Sequence, residues 1–182
     1  MPKTVLIPLA HGFEEIEAVT PMDVLRRAGA EVTVAGLGGV GVQGSRGVRI
    51  LADLTIEDCR KRQFDLILLP GGMPGAANLA ENPVLKAMLL AQRERGGLIA
   101  AICAAPALVL APLGLLEGRR ATCYPSFADR MGQAGRDEAP VVRDGDLITA
   151  AGPGSAMGLA LALVQALYGP DKEAEVRRAM LA

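Results

Sequence analysis

Leu98-Ile99-Ala100-Ala101-Ile102-Cys103-Ala104-Ala105-Pro106-Ala107-Leu108 is the stretch that decides how the chain is read. Leu98–Ile102 is apolar without polar alternation, which predicts a strand buried on both faces, the kind a parallel sheet contains. Pro106 cannot join a central ladder but suits the first turn of a helix, so residues 104–108 predict a helix start. Cys103 then occupies the turn between them, at the carboxyl end of a parallel strand, where open α/β sheets place their ligand crevices. Free amides and partial positive charge at a helix N-terminus favour a thiolate there. A cysteine inside an apolar run is ordinarily packing. Its position separates Cys103 from Cys59, read as structural on a short helix, and from Cys123, read as structural in a strand.

Working outward, Thr4–Leu9, Glu31–Gly36 and residues 64–69 are further apolar runs and predict buried strands. Residues 14–19 look helical, and Thr20-Pro21-Met22-Asp23 repeats a helix-start signature. If the two segments form one helix, Pro21 leaves the carbonyl of Glu17 without its partner and a kink should fall there. Residues 38–47 read as a glycine-rich loop, followed by a strand at 48–51 and a short helix after Thr55. Asn82-Pro83 opens a helix running to about Arg95. Residues 121–124 predict a short strand, and Ser126 a helical turn. Asp144-Gly145 predicts a hairpin between Val141-Val142 and Leu147–Ala150. Ser155 is placed to cap an apolar helix to Tyr168, and a charged helix follows Pro170. Strands alternating with helices predict one α/β domain over residues 1–182: a mostly parallel sheet with helices on both faces and a nucleophile elbow at Cys103.

Composition narrows the function. The 182 residues are 51% hydrophobic and 21% charged, with a net charge of −1, which gives no electrostatic case for nucleic acid or an anionic membrane. Three scattered cysteines imply no disulfide framework and suit a reducing, cytoplasmic setting. With His11 as the single histidine and no paired cysteines, no zinc site or other metal centre is expected. Residues 5–10 lack the length and cleavage site of a signal peptide. The uncharged stretches 97–116 and 147–170 are interrupted by Pro106, Pro112 and Gly114 and by Gly152-Pro153-Gly154, so both read as buried strand, turn and helix rather than membrane spans. Gly36-Leu37-Gly38-Gly39-Val40-Gly41 matches a dinucleotide fingerprint, yet more glycines follow where a helix must begin to hold a pyrophosphate.

Two further motifs stand beside Cys103. Pro70-Gly71-Gly72 ends the neighbouring buried strand and serves at least as a turn; the Gly72 amide could also face the Ala104 amide as an oxyanion hole. Glu14-Glu15-Ile16-Glu17 is an acidic first helical turn, ordinarily a complement to the helix dipole.

Taken together, His11-Gly12-Phe13-Glu14-Glu15-Ile16-Glu17, Pro21-Met22-Asp23-Val24-Leu25-Arg26-Arg27-Ala28-Gly29, Leu69-Pro70-Gly71-Gly72, Ala101-Ile102-Cys103-Ala104-Ala105-Pro106 and Gly152-Pro153-Gly154 resemble the ThiJ/PfpI superfamily over nearly the whole chain. The branch they look like is that of the Parkinsonism-associated deglycase and its bacterial ThiJ/YajL relatives. The resemblance implies a flavodoxin-like sandwich and a homodimer. It also implies Cys103 as nucleophile, Glu17 as its protonated hydrogen-bond partner, and Gly72 with Ala104 as backbone donors. Arg27 and Arg46 match arginines the family places near an anion-binding pocket and the dimer interface. Tyr124 stands before Pro125 where the family often has histidine; it is retained as a pocket residue, although a phenol titrating near pKa ~10 is a poor base at neutral pH.

The superfamily hosts several chemistries. Its peptidases carry histidine directly after the nucleophile, where this chain has Ala104, and glutamine amidotransferases need a late histidine that is absent here. The expectation is a cofactor-free enzyme for α-oxoaldehydes such as methylglyoxal, or for their early adducts on proteins, acting in carbonyl and oxidative stress. Its partners would be a small reactive carbonyl or a glycated protein, and a second copy of the chain. The alternative is a redox sensor or chaperone working through oxidation of Cys103.

Overall fold

Apolar residues that recur at every position of a strand need partners on both faces, and the chain meets that need with one central sheet. The computed structural model describes residues 1–182. In chain order the strands are β1 (Thr4–Leu9), β2 (Glu31–Gly36), β3 (Gly41–Gln43), β4 (Arg49–Leu51), β5 (Leu54–Thr55), β6 (Leu66–Leu69), β7 (Leu98–Ile102), β8 (Arg120–Ala121), β9 (Gly135–Arg136), β10 (Val141–Asp144) and β11 (Leu147–Ala150). The helices are α1 (Glu15–Arg27), α2 (Gly75–Glu81), α3 (Pro83–Glu94), α4 (Ala156–Tyr168) and α5 (Pro170–Met180). Seven strands form the main sheet in the order β10-β11-β7-β6-β1-β2-β5. All its pairings are parallel except the β10–β11 hairpin at one edge.

The two-residue period of the strands sorts the core into two layers. Val5, Ile7, Leu9, Leu66, Leu68, Ala100 and Ile102 pack on one face, with Val24 and Leu25 of α1 and Leu159 and Leu163 of α4. Leu6, Ile67, Leu69, Ile99 and Ala101 pack on the other, with Leu85 and Leu89 of α3 and Leu110 after the elbow. This is the flavodoxin-like α/β sandwich. No helix is long and apolar enough to cross a membrane.

Several local expectations change. Residues 14–27 make one helix: Glu14 caps it, its Oε2 accepting the Glu17 amide at 2.8 Å, and Pro21 lies inside, so Thr20 caps nothing. The glycine-rich loop contains β3, which pairs antiparallel with β4. Residues 75–81, unassigned from sequence, form α2. Cys123 lies beyond β8, and Ser155 sits at the N-cap of α4 without a side-chain bond to it. After Cys103 the helical path is irregular: a π-helical turn at Pro106–Leu110 runs into a 3₁₀ turn at Ala111–Leu113.

Glu15 ties the β3–β4 loop to α1. It is buried, and its carboxylate accepts the amides of Arg46 at 2.7 Å and Val48 at 3.3 Å and the Ser45 hydroxyl at 3.3 Å. A Cβ on Gly44 would lie 2.4 Å from its Oε1, so the loop closes on the carboxylate only because residue 44 is glycine. Burial works to raise the Glu15 pKa, but these donors together with its own amide outweigh it and hold the carboxyl below its ordinary range. A carboxyl so lowered adds stability that is full at neutral pH and is lost as pH falls through the acid range. Glu15→Gln is therefore expected to cost about 1–3 kcal/mol at pH 7. Thermal melts of the two proteins should converge as the buffer is taken toward pH 3.

Candidate active site

Cys103 leaves β7 in the left-handed region, at φ 62°, one of two non-glycine residues with positive φ. For a side chain with a Cβ this costs about 1–2 kcal/mol. The backbone holds it there from both sides. The Cys103 amide donates to the Ala150 carbonyl of β11 at 2.9 Å, and its carbonyl accepts the Tyr124 amide at 2.9 Å. The Cys103 thiol is half-buried, while Cys59 and Cys123 are buried.

Glu17 approaches from α1 and is fully buried. Its Oε2 accepts the Gly71 amide at 2.8 Å. Its Oε1 is buried with no hydrogen-bond partner. Among the groups that bear on this carboxyl, Glu14 acts through its charge alone, and the Cys103 thiol is the one side chain able to exchange a proton with it. The two glycines after β6 make the approach possible. A Cβ on Gly71 would stand 2.7 Å from both Cys103 Cβ and Glu17 Oε2; one on Gly72, itself at φ 87°, would stand 2.4 Å from the Glu14 amide nitrogen.

Electrostatics couples the two groups. Burial pushes the Glu17 pKa up to about 7, against the Gly71 amide and the thiol, which lower it. Burial and the negative charge of Glu17 push the Cys103 thiol up to about 12, against the Gly72 and Ala104 amides that hydrogen-bond the sulfur. The two rises express one fact: the space resists a second negative charge, so the pair still holds one proton well above neutral pH. The Gly72 and Ala104 amides favour charge on sulfur, the Gly71 amide favours it on Glu17 Oε2, and Glu17 Oε1 has no donor. These amides carry the stabilisation, because the short irregular helix beyond Cys103 aligns few peptide dipoles. A thiolate beside a protonated acid can attack an electrophilic carbon and then deliver and recover a proton.

The expected residues are placed unequally. Cys103, Glu17, Gly72 and Ala104 come together. Tyr124 is adjacent through its backbone; the residue is 44% exposed and its ring lies against Gly152, whose Cβ would be 3.2 Å from it. Arg27 and Arg46 are exposed within a single chain: Arg27 pairs with Asp23 at 2.8 Å, and Arg46 enters through its amide on Glu15. The sequence reading missed the Gly71 amide, although the paired glycines that end β6 were its signal. No group of three or more histidine, cysteine, aspartate or glutamate side chains is placed to hold a metal ion.

Comparison with known proteins agrees with the fold. A family model described as the DJ-1/PfpI family matches residues 3–166. The Parkinson disease protein 7 homolog of Danio rerio is 46% identical over 98% of this chain and 97% of its own length. The glutathione-independent glyoxalase DJR-1.2 of Caenorhabditis elegans is 41% identical over 92% of this chain and 89% of its own. The chain spans only 40% and 46% of the length of two Arabidopsis thaliana relatives that it also matches. Among solved structures, oxidized Toxoplasma gondii DJ-1 superposes with a TM-score of 0.96 at 43% identity, covering 98% of each chain.

Selective labelling follows from the site. Cys103 is half-buried and its sulfur has two amide donors, whereas Cys59 and Cys123 are buried, raised chiefly by burial, and have no amide donor. Limiting iodoacetamide at pH 7.5 is expected to modify Cys103 before either other cysteine, as read by peptide mapping. Earlier modification of Cys59 or Cys123 contradicts the assignment.

Proposed function

The chain belongs to the DJ-1/PfpI family, and we propose that it is a cysteine-dependent enzyme acting on α-oxoaldehydes such as methylglyoxal, free or as early protein adducts. The observation that carries this reading is the buried, orphaned Glu17 Oε1 beside a thiol whose sulfur is held by two backbone amides. A relative described as a glutathione-independent glyoxalase lends it support.

The proposed steps use only the chain's own groups. The Cys103 thiolate attacks the aldehyde carbon, and Glu17 gives its proton to the oxygen, forming a hemithioacetal. The Gly72 and Ala104 amides, freed from the sulfur's charge, stabilise the developing oxyanion. Glu17, now a carboxylate, removes the proton from the former aldehyde carbon to give an enediolate, whose charged oxygen takes the hydroxyl proton of the neighbouring oxygen. Return of the carbon-bound proton from Glu17 to the adjacent carbon leaves a 2-hydroxy acyl thioester. Water cleaves the thioester, releasing the 2-hydroxy acid and returning one proton to the Cys103–Glu17 pair. No step requires metal, nucleotide or glutathione. In this scheme Tyr124 borders the pocket as a hydrogen-bond donor and leaves proton transfer to Glu17.

A second reading, in which Cys103 is oxidised to a sulfinate and the protein works as a redox sensor or chaperone, draws on the oxidized state named for the Toxoplasma gondii structure. Turnover separates the two. Glu17→Gln keeps a donor beside sulfur but cannot accept and return a proton. It is expected to keep iodoacetamide reactivity within about threefold while lowering methylglyoxal turnover by about 10²–10⁴-fold. Cys103→Ser loses both. Full turnover in Glu17→Gln contradicts the mechanism, and absence of turnover in the parent protein across several oxoaldehydes favours the sensor.

We also propose a homodimer joined through α1 and the β3–β4 hairpin, in a reducing, cytoplasmic setting suited to three free cysteines. Ile16, Val19, Val48 and Leu51 are exposed there, and Glu15 holds the two elements together as one surface. Arg27 and Arg46 flank this surface and would be brought near the partner's site. Light scattering is expected to give twice the 18.9 kDa chain mass, reverting to the monomer in Leu51→Glu. A monomeric parent protein at micromolar concentration contradicts this.

A further inference from the structure

A cleft of 540 Å³ opens away from Cys103, between α3 and the segment 60–64 that leads into β6. It lies toward the amino ends of the parallel strands, whereas Cys103 follows the carboxyl end of β7, and neither Cys103 nor Glu17 lines it. One wall is a single stripe of α3, Val84, Ala87, Met88 and Ala91, at the three- and four-residue spacing of one helix face. Phe64 and Ile67 form the apolar base. The volume lies within the roughly 300–1,000 Å³ of small-molecule sites, and the lining is half apolar and half polar or charged, as an amphipathic ligand requires.

The rim is charged in one sense. Arg60, Arg62 and Arg95 line the cleft against one acid, Glu94. Arg95 donates to the Phe64 carbonyl and to Gln92 Oε1, which fixes it as an end wall without neutralising it. Arg60 and Arg62 are exposed and belong to none of the chain's ion pairs. Asp58 lies near enough to feel Arg62, but its carboxylate is held by the Thr55 amide and hydroxyl at 3.0 and 2.6 Å. Two guanidinium groups without carboxylate partners thus stand at the mouth of an apolar trough.

We propose that this cleft binds a small amphipathic anion: a carboxylate held by Arg60 and Arg62, with an aliphatic chain of medium length laid along the Val84–Ala91 face of α3. Guanidinium groups match a carboxylate in shape as well as charge, and the trough removes the chain from water. The ligand comes free from solution, since the trough is closed at its base by Phe64 and Ile67.

Isothermal titration of the whole protein with decanoate, below its micelle concentration, tests the site. Decanoate is expected to bind once per chain, with acetate and 1-decanol each at least about tenfold weaker, because each lacks one half of the match. Arg60→Gln/Arg62→Gln should weaken decanoate about tenfold or more and leave 1-decanol unchanged. Ala87→Glu, at an exposed position on α3, should abolish decanoate binding while circular dichroism shows the parent melt. Cys103→Ser should bind decanoate as the parent does, which separates this site from the proposed activity. The proposal is overturned if decanoate fails to bind, if both arginine and Ala87 variants bind it undiminished, if 1-decanol binds as tightly, or if only phosphatidylserine vesicles are bound.

Discussion

Two acids, the Glu17 carboxyl and the Cys103 thiol, share a space that accommodates one negative charge, and the site is built around that restriction. Burial of Glu17 moves its pKa from 4.5 to about 7, which corresponds to about 3 kcal/mol against the folded state at pH values above 7, where both folded and unfolded chains have lost that proton. The penalty grows as pH rises across that interval, because the folded chain there holds a proton that the unfolded chain has released. The left-handed backbone at Cys103 adds about 1–2 kcal/mol. A chain selected for stability alone would keep neither. Both are explained by what they do to the sulfur, which they bring within reach of two amides and one returnable proton.

The scaffold meets this cost with a stiff sheet. β7 lies between β6 and β11, each pairing extending over four residues, so the end of β7 cannot shift without moving its neighbours. Cys103 is then fixed by Ala150 on one side and Tyr124 on the other. Glu17 is positioned independently, by the Glu14 cap that sets where α1 begins and by the Gly71 carbonyl, which accepts the Glu14 amide at 3.0 Å. The Gly71-Gly72 pair is where these supports meet. Any side chain there would separate the carboxyl from the thiol or push the start of α1 off β6.

How much of this the sequence disclosed depends on how local the determining physics was. Thr4–Leu9, Glu31–Gly36 and Leu98–Ile102 were readable to the residue, because strands buried on both faces must be apolar throughout and Gly or Pro marks their ends. The elbow at Cys103 followed from the strand before it and Pro106 after it. The pairing of Glu17 with Cys103 was not local: 86 positions separate them, and spacing alone left Glu17 among three acids in one turn, so resemblance to a family singled it out. β3 was hidden because three residues, Gly41-Val42-Gln43, set among glycines are too short to show a strand pattern, and α2 because Gly75-Ala76-Ala77 carries no cap and little amphipathic pattern. The cleft at Arg60 and Arg62 was invisible for the same reason, as only the fold lays α3 beside residues 60–64.

The position of the shared proton is the most direct point of test. Infrared difference spectra between the parent protein and Glu17→Gln at pH 7.5, recorded in H₂O and D₂O, distinguish a protonated carboxyl from a carboxylate and a thiolate from a thiol. The expected parent spectrum has the carbonyl band of a buried carboxylic acid assigned to Glu17 and no S–H stretch assigned to Cys103, checked against Cys103→Ser. A carboxylate signature for Glu17 together with an S–H stretch from Cys103 would place the charge on the wrong atom and contradict the assignment.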